Sequence, residues 1–560
     1  MTFVRRLRAR TVQQNASALD YDARVSSPEL QPTDSSTAFW RVQPWLAACA
    51  ARCPRLTQYA FALDLRSLGL TRIYLGCLLL FDLLRRVPGL RIWYTNKGVL
   101  PNHMVLWRPA AEYHFSLFFL ASHAHEAIAL FVLCGCVFLL FTLGYKTRLM
   151  HALSLVAICS LHNRLALLED GSEVTLRLLT FLTLFLPLGA RFSLDALRCA
   201  RTTTLTSDPR RAVSLAVPLL LLQVTCIYLF NVLHKNGETW SQGTAVHYAL
   251  QQDRLVSWLG WKLRPFITPA LSVMLTRAVL ATEASLPLLM LSPVATWFTR
   301  RLAISLAILL HLGFAALLNL GMFSFNMIGF FLLFVSARDW DWLARLPHER
   351  VFRRVRAWAQ ASVDVLGVPL TAAATPFRSA LAAGSPWLRE ALVMLFGAAL
   401  ISQGMIENHA LPDALRVRHQ PRLLRMLIEY PRFYEGWSMF APDAPQEDAM
   451  LVVDAITIDG RHVDPINELA SRVADPKSRT IPEWLDQNDR WCDYTNNIVG
   501  ADMYHSALAD FIRAYPRRTH RKQDEIKSFK VWLLEDRSPA PGQTQPTETR
   551  HRLILRDSTH

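Results

Sequence analysis

A lysine at the end of a long apolar segment is the residue of this sequence best placed to do chemistry. Lys235 follows the apolar run 212–233, which is long enough to cross a bilayer. A lysine at a membrane surface can be a simple anchor, because its stem lies along apolar surface while Trp and Tyr occupy the headgroup layer. Here, however, His234, Trp240 and Tyr248 surround a glycine turn next to the lysine, which is more typical of a pocket wall.

Two further polar residues lie inside apolar segments. Glu283 is in the middle of the run 268–291, and His311 interrupts the run 302–320. A charge at the bilayer centre costs about 2.5–3.5 kcal/mol on insertion scales, so such residues face a bundle interior or a cavity. Taken alone, each fits a hydrogen bond between helices, as a protonated carboxyl or a neutral imidazole. Together with Lys235 they predict one polar pocket.

The composition is that of a membrane protein with several transmembrane helices. Of the 560 residues, 52% are hydrophobic and only 19% are charged, whereas about a quarter of the residues of soluble domains are charged. The net charge of +15 would suit nucleic acid, but most arginines fall between apolar runs, where they set topology and contact anionic headgroups. We therefore expect lipid and not nucleic acid as a partner. The nine cysteines lack histidine or cysteine partners at zinc spacing, which gives no support for a metal site.

The apolar runs predict an all-α bundle of about eight or nine transmembrane helices, with a small C-terminal α+β domain outside the membrane. The predicted crossings are residues 68–84, 124–143, 150–168, 174–188, 212–233, 268–291, 302–320, 322–335 and 388–406. The junction of the seventh and eighth crossings is too short for an exposed loop. One of these two helices is therefore expected to be bent or re-entrant.

These crossings divide the chain into four parts. Residues 1–66 are predicted to form a cytosolic arm and an interfacial helix, and residues 67–337 the main transmembrane domain. Residues 338–407 comprise a basic cytosolic segment and the last transmembrane helix, and residues 408–560 a domain with a disordered tail. The arginine excess in alternate loops places the N-terminus in the cytosol, and Lys235 with the C-terminal domain on the opposite side.

Short strands and one helix are predicted within the C-terminal domain. Residues 450–456 and 461–463 are predicted to be two strands joined by the turn signal Asp459-Gly460. Residues 501–515 are predicted to be a helix and residues 528–534 another strand.

Three motifs spread over the membrane segments carry a family resemblance. In residues 228–248 a membrane helix ends in a lysine that a tryptophan follows five residues later. His311 stands ten residues before GMFSF at 321–325, and LGARFSLD occupies 188–195. Over about residues 68–335 the chain thereby resembles the vitamin K-dependent γ-carboxylase-like membrane proteins, the HTTM family. The third motif is similar to bacterial members, which implies a bacterial inner membrane.

The resemblance implies an enzyme of the carboxylase type, a carbon–carbon lyase that uses a reduced quinone similar to vitamin K hydroquinone, oxygen and carbon dioxide. In the carboxylases the matching lysine is taken as the base that deprotonates the hydroquinone. The anion reacts with oxygen, and the strong base so formed removes a γ-proton from a protein glutamate, which then adds carbon dioxide. The resemblance therefore implies that Lys235 is the base, for which partial burial is favourable because it lowers a lysine pKa. It implies that His311 is a second catalytic residue. The residues expected to line the quinone pocket are His234, Trp240, Tyr248 and Glu283.

Two departures from the family pattern leave a second function open. Asp170–Glu173 stands where the carboxylases have an Asn-His pair, with His162-Asn163 some residues earlier. The tail after Ile406 does not match the part of the animal enzymes that handles propeptides. The alternative is a non-catalytic membrane scaffold or assembly factor that acts through the C-terminal domain. Either function implies a protein substrate or partner on the non-cytosolic side, whereas a transporter is disfavoured because inverted repeats and paired broken helices are missing from the sequence.

Overall fold

The computed structural model describes residue 52 and residues 59–107, 112–202, 211–345, 376–467, 489–543 and 549–558. The chain forms two compact units, residues 1–41 with 370–387 and residues 42–369 with 388–560. In the first unit the structure describes the beginning of one helix, and all contacts given below lie within the second. The arm predicted before residue 52 and most of the basic segment predicted after residue 345 lie outside the described residues.

Helices dominate the described chain. In chain order they are α1 Leu65–Arg86, α2 Leu90–Trp93, α3 Asn102–Trp107, α4 Ala124–Leu143, α5 Thr147–Asn163, α6 Gly171–Thr183, α7 Leu194–Thr202, α8 Ala216–His234, α9 Glu238–Gln242, α10 Ala245–Gln251, α11 Trp258–Leu263, α12 Pro269–Leu291, α13 Thr296–Leu317, α14 Phe323–Leu332, α15 Ala337–Leu343, α16 Pro376–Glu407, α17 Arg422–Glu429, α18 Asp489–Ile498, α19 His505–Arg513 and α20 Tyr515–Thr519. Short 3-10 turns occupy Leu117–Leu120, Ala166–Leu168, Arg264–Phe266, Asp413–Leu415, Asp502–Tyr504 and Lys522–Asp524.

Six of these helices are long and apolar enough to cross a membrane, namely α1, α4, α8, α12, α13 and residues 386–407 of α16. The predicted helical membrane fold is therefore confirmed, but the predicted count of eight or nine spans is not. Three other predicted crossings correspond to α5, α6 and α14, which have 17, 13 and 10 residues. At about 1.5 Å per residue, the last two are much shorter than a hydrocarbon core of about 30 Å.

Helix α6 shows why an apolar run does not by itself establish a membrane span. Every residue from Ser172 to Thr183 is buried in the protein. Its apolar composition therefore reflects packing against other helices rather than contact with lipid, and hydropathy cannot distinguish the two. Between the seventh and eighth predicted crossings, α13 ends at Leu317 and Leu318 pairs with Val256 in an isolated β-bridge. That one of these two helices is bent or re-entrant stays a prediction.

The packing order of the helices brings the predicted site residues together. Helix α8 packs against α12, α12 against α13, and α13 against α14. The short antiparallel strands β1 (Ala62–Asp64) and β2 (Arg211–Val213) join the beginning of α1 to the segment before α8. Thr268 caps α12, with Pro269 in the first turn as the sequence predicts. Lys235 at the end of α8 thus faces the helix that carries Glu283.

The C-terminal domain contains an antiparallel sheet of strand order β4-β3-β5-β6. Its strands are β3 Glu447–Thr457, β4 His462–Val463, β5 Ile526–Arg537 and β6 Arg550–Ser558. The three predicted strands are found, with β3 and β5 longer than expected, whereas the predicted helix 501–515 is divided into a 3-10 turn, α19 and the start of α20. Within the tail that the sequence predicts to be disordered, residues 550–558 form β6, which pairs with β5 from Glu535↔Arg550 to Ser528↔Ser558.

Candidate active site at the end of helix α8

The turn after α8 is built by close contact with a distant part of the chain. Gly237 donates its backbone N–H to the Pro442 carbonyl at 3.0 Å. A Cβ atom at this glycine would lie 2.3 Å from the Asp443 carboxylate, so a larger residue requires Asp443 or the loop to shift. The same carboxylate accepts hydrogen bonds from the Thr239 backbone N–H at 2.6 Å and from the Thr239 hydroxyl at 2.8 Å. Asp443 therefore provides a hydrogen-bond acceptor for a backbone N–H in the first turn of α9, and it fixes the loop that follows Lys235.

Lys235 lies in a buried ion pair with Glu283. Its Nζ is 2.5 Å from Glu283 Oε2, and the two residues are 7% and 3% exposed. The amide of Asn231 donates to the same carboxylate at 3.3 Å. Trp240 covers the lysine, with Nζ 4.3 Å from the centre of its ring, a position that stabilises a cation. Three of the predicted pocket residues are thus in direct contact.

The indole of Trp240 is held by the C-terminal segment. Its Nε1 donates to the Phe440 carbonyl at 2.7 Å, and Phe440 has a left-handed backbone with φ of +56°. Tyr248 packs in the same small apolar cluster, which also includes Ala245 and Ala444. Tyr248 and Trp240 thus pack in the same cluster.

His311 lies on α13 and is held by a tyrosine of α8. The Tyr228 hydroxyl and His311 Nε2 are 2.6 Å apart, and the histidine is 1% exposed. Its ring also contacts the rings of Phe314 and Phe323, with centres 5.8 Å away in both cases. Among the described residues, Nδ1 of this histidine has no hydrogen-bond partner.

The α8 helix connects the histidine to the lysine. Tyr228, Asn231 and Lys235 are spaced three and four residues apart, so they occupy one face of the helix. Glu283 interacts electrostatically with Tyr228 as well as with Lys235. Lys235, Glu283 and His311 therefore belong to one polar group, in which His311 is reached through Tyr228 rather than by direct contact.

His234 is the predicted site residue that the structure sets apart. Its Nδ1 is 2.8 Å from the Phe230 carbonyl of its own helix, and the side chain is partly exposed. This contact gives it the role of a helix-terminal residue bonded to the preceding turn.

Four residues of the site were missed by sequence reasoning. Tyr228 and Asn231 lie within an apolar run, and their signal is the polar spacing that leads to Lys235. Phe440 and Asp443 come about 200 residues later in the chain. Their motif, YEGWSMFAPDAP, is distinctive in the sequence, but nothing local indicates that it contacts the lysine loop.

A second buried polar group lies where the sequence departs from the family pattern. Asp82 accepts hydrogen bonds from Arg86 Nε at 2.8 Å and from His162 Nε2 at 3.0 Å. The other end of Arg86 donates to Glu173 at 2.8 Å, and Arg490 of the C-terminal domain lies 3.9 Å from the same glutamate. Asp82 and Glu173 therefore form an ion network that reaches the C-terminal domain.

The comparisons with known proteins agree with this architecture. A family model described as the HTTM domain matches residues 62–340, from β1 to α15. The Bacillus subtilis (strain 168) protein named "Uncharacterized protein YitO" is 25% identical over 240 residues, which cover 41% of this chain and 74% of that protein. No solved structure matches the chain.

Proposed function

Because residues 62–340 make the chain a member of the HTTM family, which is associated with vitamin K-dependent γ-carboxylase-like proteins, we propose that it is an integral-membrane enzyme with Lys235 as its base. Its reaction couples the oxidation of a reduced quinone by oxygen to deprotonation of a carbon acid, which then adds carbon dioxide. The carbon acid belongs to a protein or to a small molecule.

The buried pair of Lys235 and Glu283 is the observation that carries this proposal. Because Nζ and Oε2 are 2.5 Å apart, a proton can pass from one group to the other while the heavy atoms of both side chains stay in place. Burial makes the charged forms costly relative to the neutral forms. When Glu283 holds the proton, Lys235 is the free amine that base catalysis requires.

Two features of the site fit a reduced quinone. Buried polar atoms without a partner in the described chain include His311 Nδ1 and Asn231 Oδ1, and a bound ligand with hydroxyl groups would satisfy them. Helices α12 and α13 also carry strongly exposed apolar side chains, such as Leu288 and Leu309, which face lipid in a membrane protein. A lipid-soluble quinol can therefore approach from the bilayer. When bound, it supplies an acidic hydroxyl and the electrons that reduce oxygen.

Each residue of the site has a distinct task in this proposal. Glu283 takes the resting proton of Lys235 at Oε2, and the free amine then accepts the proton of the quinol at Nζ. Trp240 covers the ammonium form and keeps water from it, while Asn231 orients the glutamate. His311, fixed by Tyr228, presents Nδ1 to the ligand.

The orientation of the protein is part of the proposal. We place the N-terminus in the cytosol, and Lys235 with the C-terminal domain on the non-cytosolic side of a bacterial inner membrane. The arginine excess in alternate loops supports this arrangement. A protein substrate or partner would then be met on the non-cytosolic side.

The test is oxygen-dependent oxidation of a reduced naphthoquinone by the purified protein in detergent. Lys235→Ala and Lys235→Arg are expected to lower the rate about 100-fold or more, because general base catalysis contributes about 10²–10⁴ and arginine stays protonated. Lys262→Ala is the matched control, because Lys262 also lies over a tryptophan, Trp261, at 4.4 Å. Full activity of Lys235→Arg would contradict the proposal.

A second function is supported by the contacts of the C-terminal segment. Since Phe440 and Asp443 lock the lysine loop, the Lys235–Glu283 pair can also serve as a structural link in a scaffold. The double variant Lys235→Met with Glu283→Leu separates the two functions. Replacing a buried ion pair by apolar residues of similar volume often preserves stability, so a scaffold would keep its function in cells, whereas the enzyme would lose it.

A further inference from the structure

A cleft of about 590 Å³ lies between three segments that are distant in sequence. Its walls are residues 169–174 before and within α6, residues 406–409 at the end of α16, and residues 434–439 of the C-terminal domain. The volume is typical of small-molecule sites, which have about 300–1,000 Å³. Lys235, Glu283 and His311 do not line this cleft. It is therefore a separate feature from the proposed base.

The cleft presents carboxylates and aromatic rings. The carboxylates are Glu169, Asp170 and Glu407, and the rings are Tyr434 and Trp437. No lysine or arginine is among the described residues that line it, although the chain carries a net charge of +15. Ionised carboxylates only accept hydrogen bonds, and aromatic faces attract cations. These walls favour a positively charged ligand, and they disfavour an anion.

Two of the three carboxylates retain acceptor capacity. Glu169 is bound by two buried arginines, Arg177 and Arg432, which fix it as part of the wall. Glu407, in contrast, accepts from the Gln403 amide at 2.7 Å and from the Glu435 backbone N–H. Its remaining lone pairs, of about four per carboxylate, can accept from a ligand.

Asp170 accepts hydrogen bonds from neutral donors and also interacts electrostatically with Arg85. It accepts from the Ser172 hydroxyl at 2.7 Å and from the Glu173 backbone N–H at 2.9 Å. It has the same capacity for a further donor.

The arrangement of these carboxylates does not suit a metal ion. Throughout the part of the chain that the structure describes, no group of three or more His, Cys, Asp or Glu side chains is spaced to hold one. Carboxylates that share the cleft wall with aromatic rings suit an organic cation. An organic ammonium has both the positive charge and the apolar surface that such walls bind.

We propose that this cleft binds an organic ammonium group, with the carboxylates of Glu407 and Asp170 as its counter-charges and with Tyr434 and Trp437 as ring partners. Two sources present this group: a free amine of the size of choline or ethanolamine, and the headgroup of a zwitterionic lipid. The binding does not depend on the base chemistry of Lys235. The cleft nevertheless lies near the proposed base site. A Cβ atom at Gly171, in the cleft wall, would lie 3.9 Å from the Phe323 ring, and this ring contacts His311.

The test is calorimetric titration of the full-length protein in lipid-free detergent with choline. Its uncharged isostere 3,3-dimethylbutan-1-ol measures the contribution of the charge. Choline is expected to bind saturably and at least about tenfold more tightly than the isostere, since hydrogen bonds and contacts to a charged group contribute about 1.5–3 kcal/mol.

Glu407→Gln keeps an acceptor for the Glu435 N–H and should weaken choline binding about tenfold. Tyr434→Leu should weaken it, whereas Tyr434→Phe keeps the ring and should not.

Asp413→Asn is the control for a general effect of charge, because the Asp413 side chain is 88% exposed and outside the cleft. Unchanged binding in Glu407→Gln and Tyr434→Leu, equal binding of the isostere, or no saturable binding would each overturn the proposal. Lys235→Ala should bind choline normally, so a failure of the base chemistry and a failure of this site are distinguishable. Competition by phosphatidylcholine nanodiscs, but not by phosphatidylglycerol nanodiscs, would identify the lipid headgroup as the source; no competition would identify the free amine.

Discussion

At the scale of single residues, the site depends on which atom holds one proton. Lys235 and Glu283 share a short contact inside the helix bundle, and Asn231 and Trp240 hold each partner in place. The sequence suffices to predict that Lys235, Glu283 and Trp240 belong to one pocket, because charged residues within or at the end of apolar helices face a bundle interior or a cavity. It does not suffice for Tyr228 and Asn231, whose side chains could equally face lipid headgroups or other helices.

Glu283→Gln should separate charge from hydrogen bonding at this pair. Glutamine keeps the size and can accept from Lys235, but it cannot take its proton. Quinol oxidation should therefore fall by about 10²–10⁴, which is measured as the initial rate of quinol consumption in purified protein. Glu238→Gln, in the exposed part of α9, is the control. Near wild-type turnover of Glu283→Gln would assign the proton to another acceptor.

Tyr228→Phe tests the support of His311. The substitution removes the hydroxyl that lies 2.6 Å from Nε2 and leaves a buried imidazole nitrogen without its partner. The free energy of unfolding should fall by about 1–3 kcal/mol, which would be measured by chemical denaturation in detergent. A variant as stable as the wild type would show that another group, or water, replaces the hydroxyl.

At the scale of elements, the lysine loop is completed by a segment from the other end of the chain. Asp443 bonds the first turn of α9, and the Phe440 carbonyl holds Trp240. Periodicity predicts helices α8 and α12 well, but it carries no information on a contact between segments about 200 residues apart. Deleting the C-terminal domain would therefore disturb the base as well, and such a deletion cannot distinguish an enzyme from a scaffold.

Gly237→Ala should displace the C-terminal segment from the lysine loop. The added Cβ atom would lie 2.3 Å from the Asp443 carboxylate, and the structure must shift to admit it. We expect a loss of about 1–3 kcal/mol in the free energy of unfolding, together with faster proteolysis of residues 440–446. Gly500→Ala is the control, since a Cβ atom there meets nothing within 4 Å. Equal protease resistance of the two variants would contradict this contact.

At the scale of the whole molecule, buried charges tie the C-terminal domain to the membrane bundle. Arg432 binds Glu169 at 2.6 Å, and Arg254, between α10 and α11, lies 3.2 Å from Asp448 of β3. The sequence predicts a second region from about residue 408, and it does not settle the number of spans because burial by protein and burial by lipid look alike. The strand β6 is missed because its alternation extends over only nine residues beside a proline-rich stretch.

Glu435 should make the stability of this assembly depend on pH. Burial raises the pKa of its carboxyl to about 8. This carboxyl accepts hydrogen bonds from the Gln223 amide of α8 at 2.8 Å and from the Trp437 indole at 2.7 Å. Because the pKa is higher in the folded than in the unfolded protein, the stability that this group contributes is complete at pH 4 and is lost as the pH rises through about 8. The melting temperature should therefore fall between pH 5 and 9 in the wild type.

Glu435→Gln should flatten this pH dependence, because glutamine imitates the protonated carboxyl and keeps both hydrogen bonds. The experiment compares melting curves of the two proteins across that pH range. An equal fall of the melting temperature in both proteins would assign the effect to other groups.

The hydrogen bond from Trp240 to the Phe440 carbonyl also sets an order of events during synthesis. The ribosome completes Lys235 and Trp240 about 200 residues before it makes the residue that holds the indole. At about 5–20 residues per second, the membrane helices wait on the order of 10–40 s for this contact. A nascent or prematurely terminated chain therefore carries the Lys235 amine without the hydrogen bond that holds Trp240 in place. The complete site forms only in a chain that has been translated through the C-terminal segment.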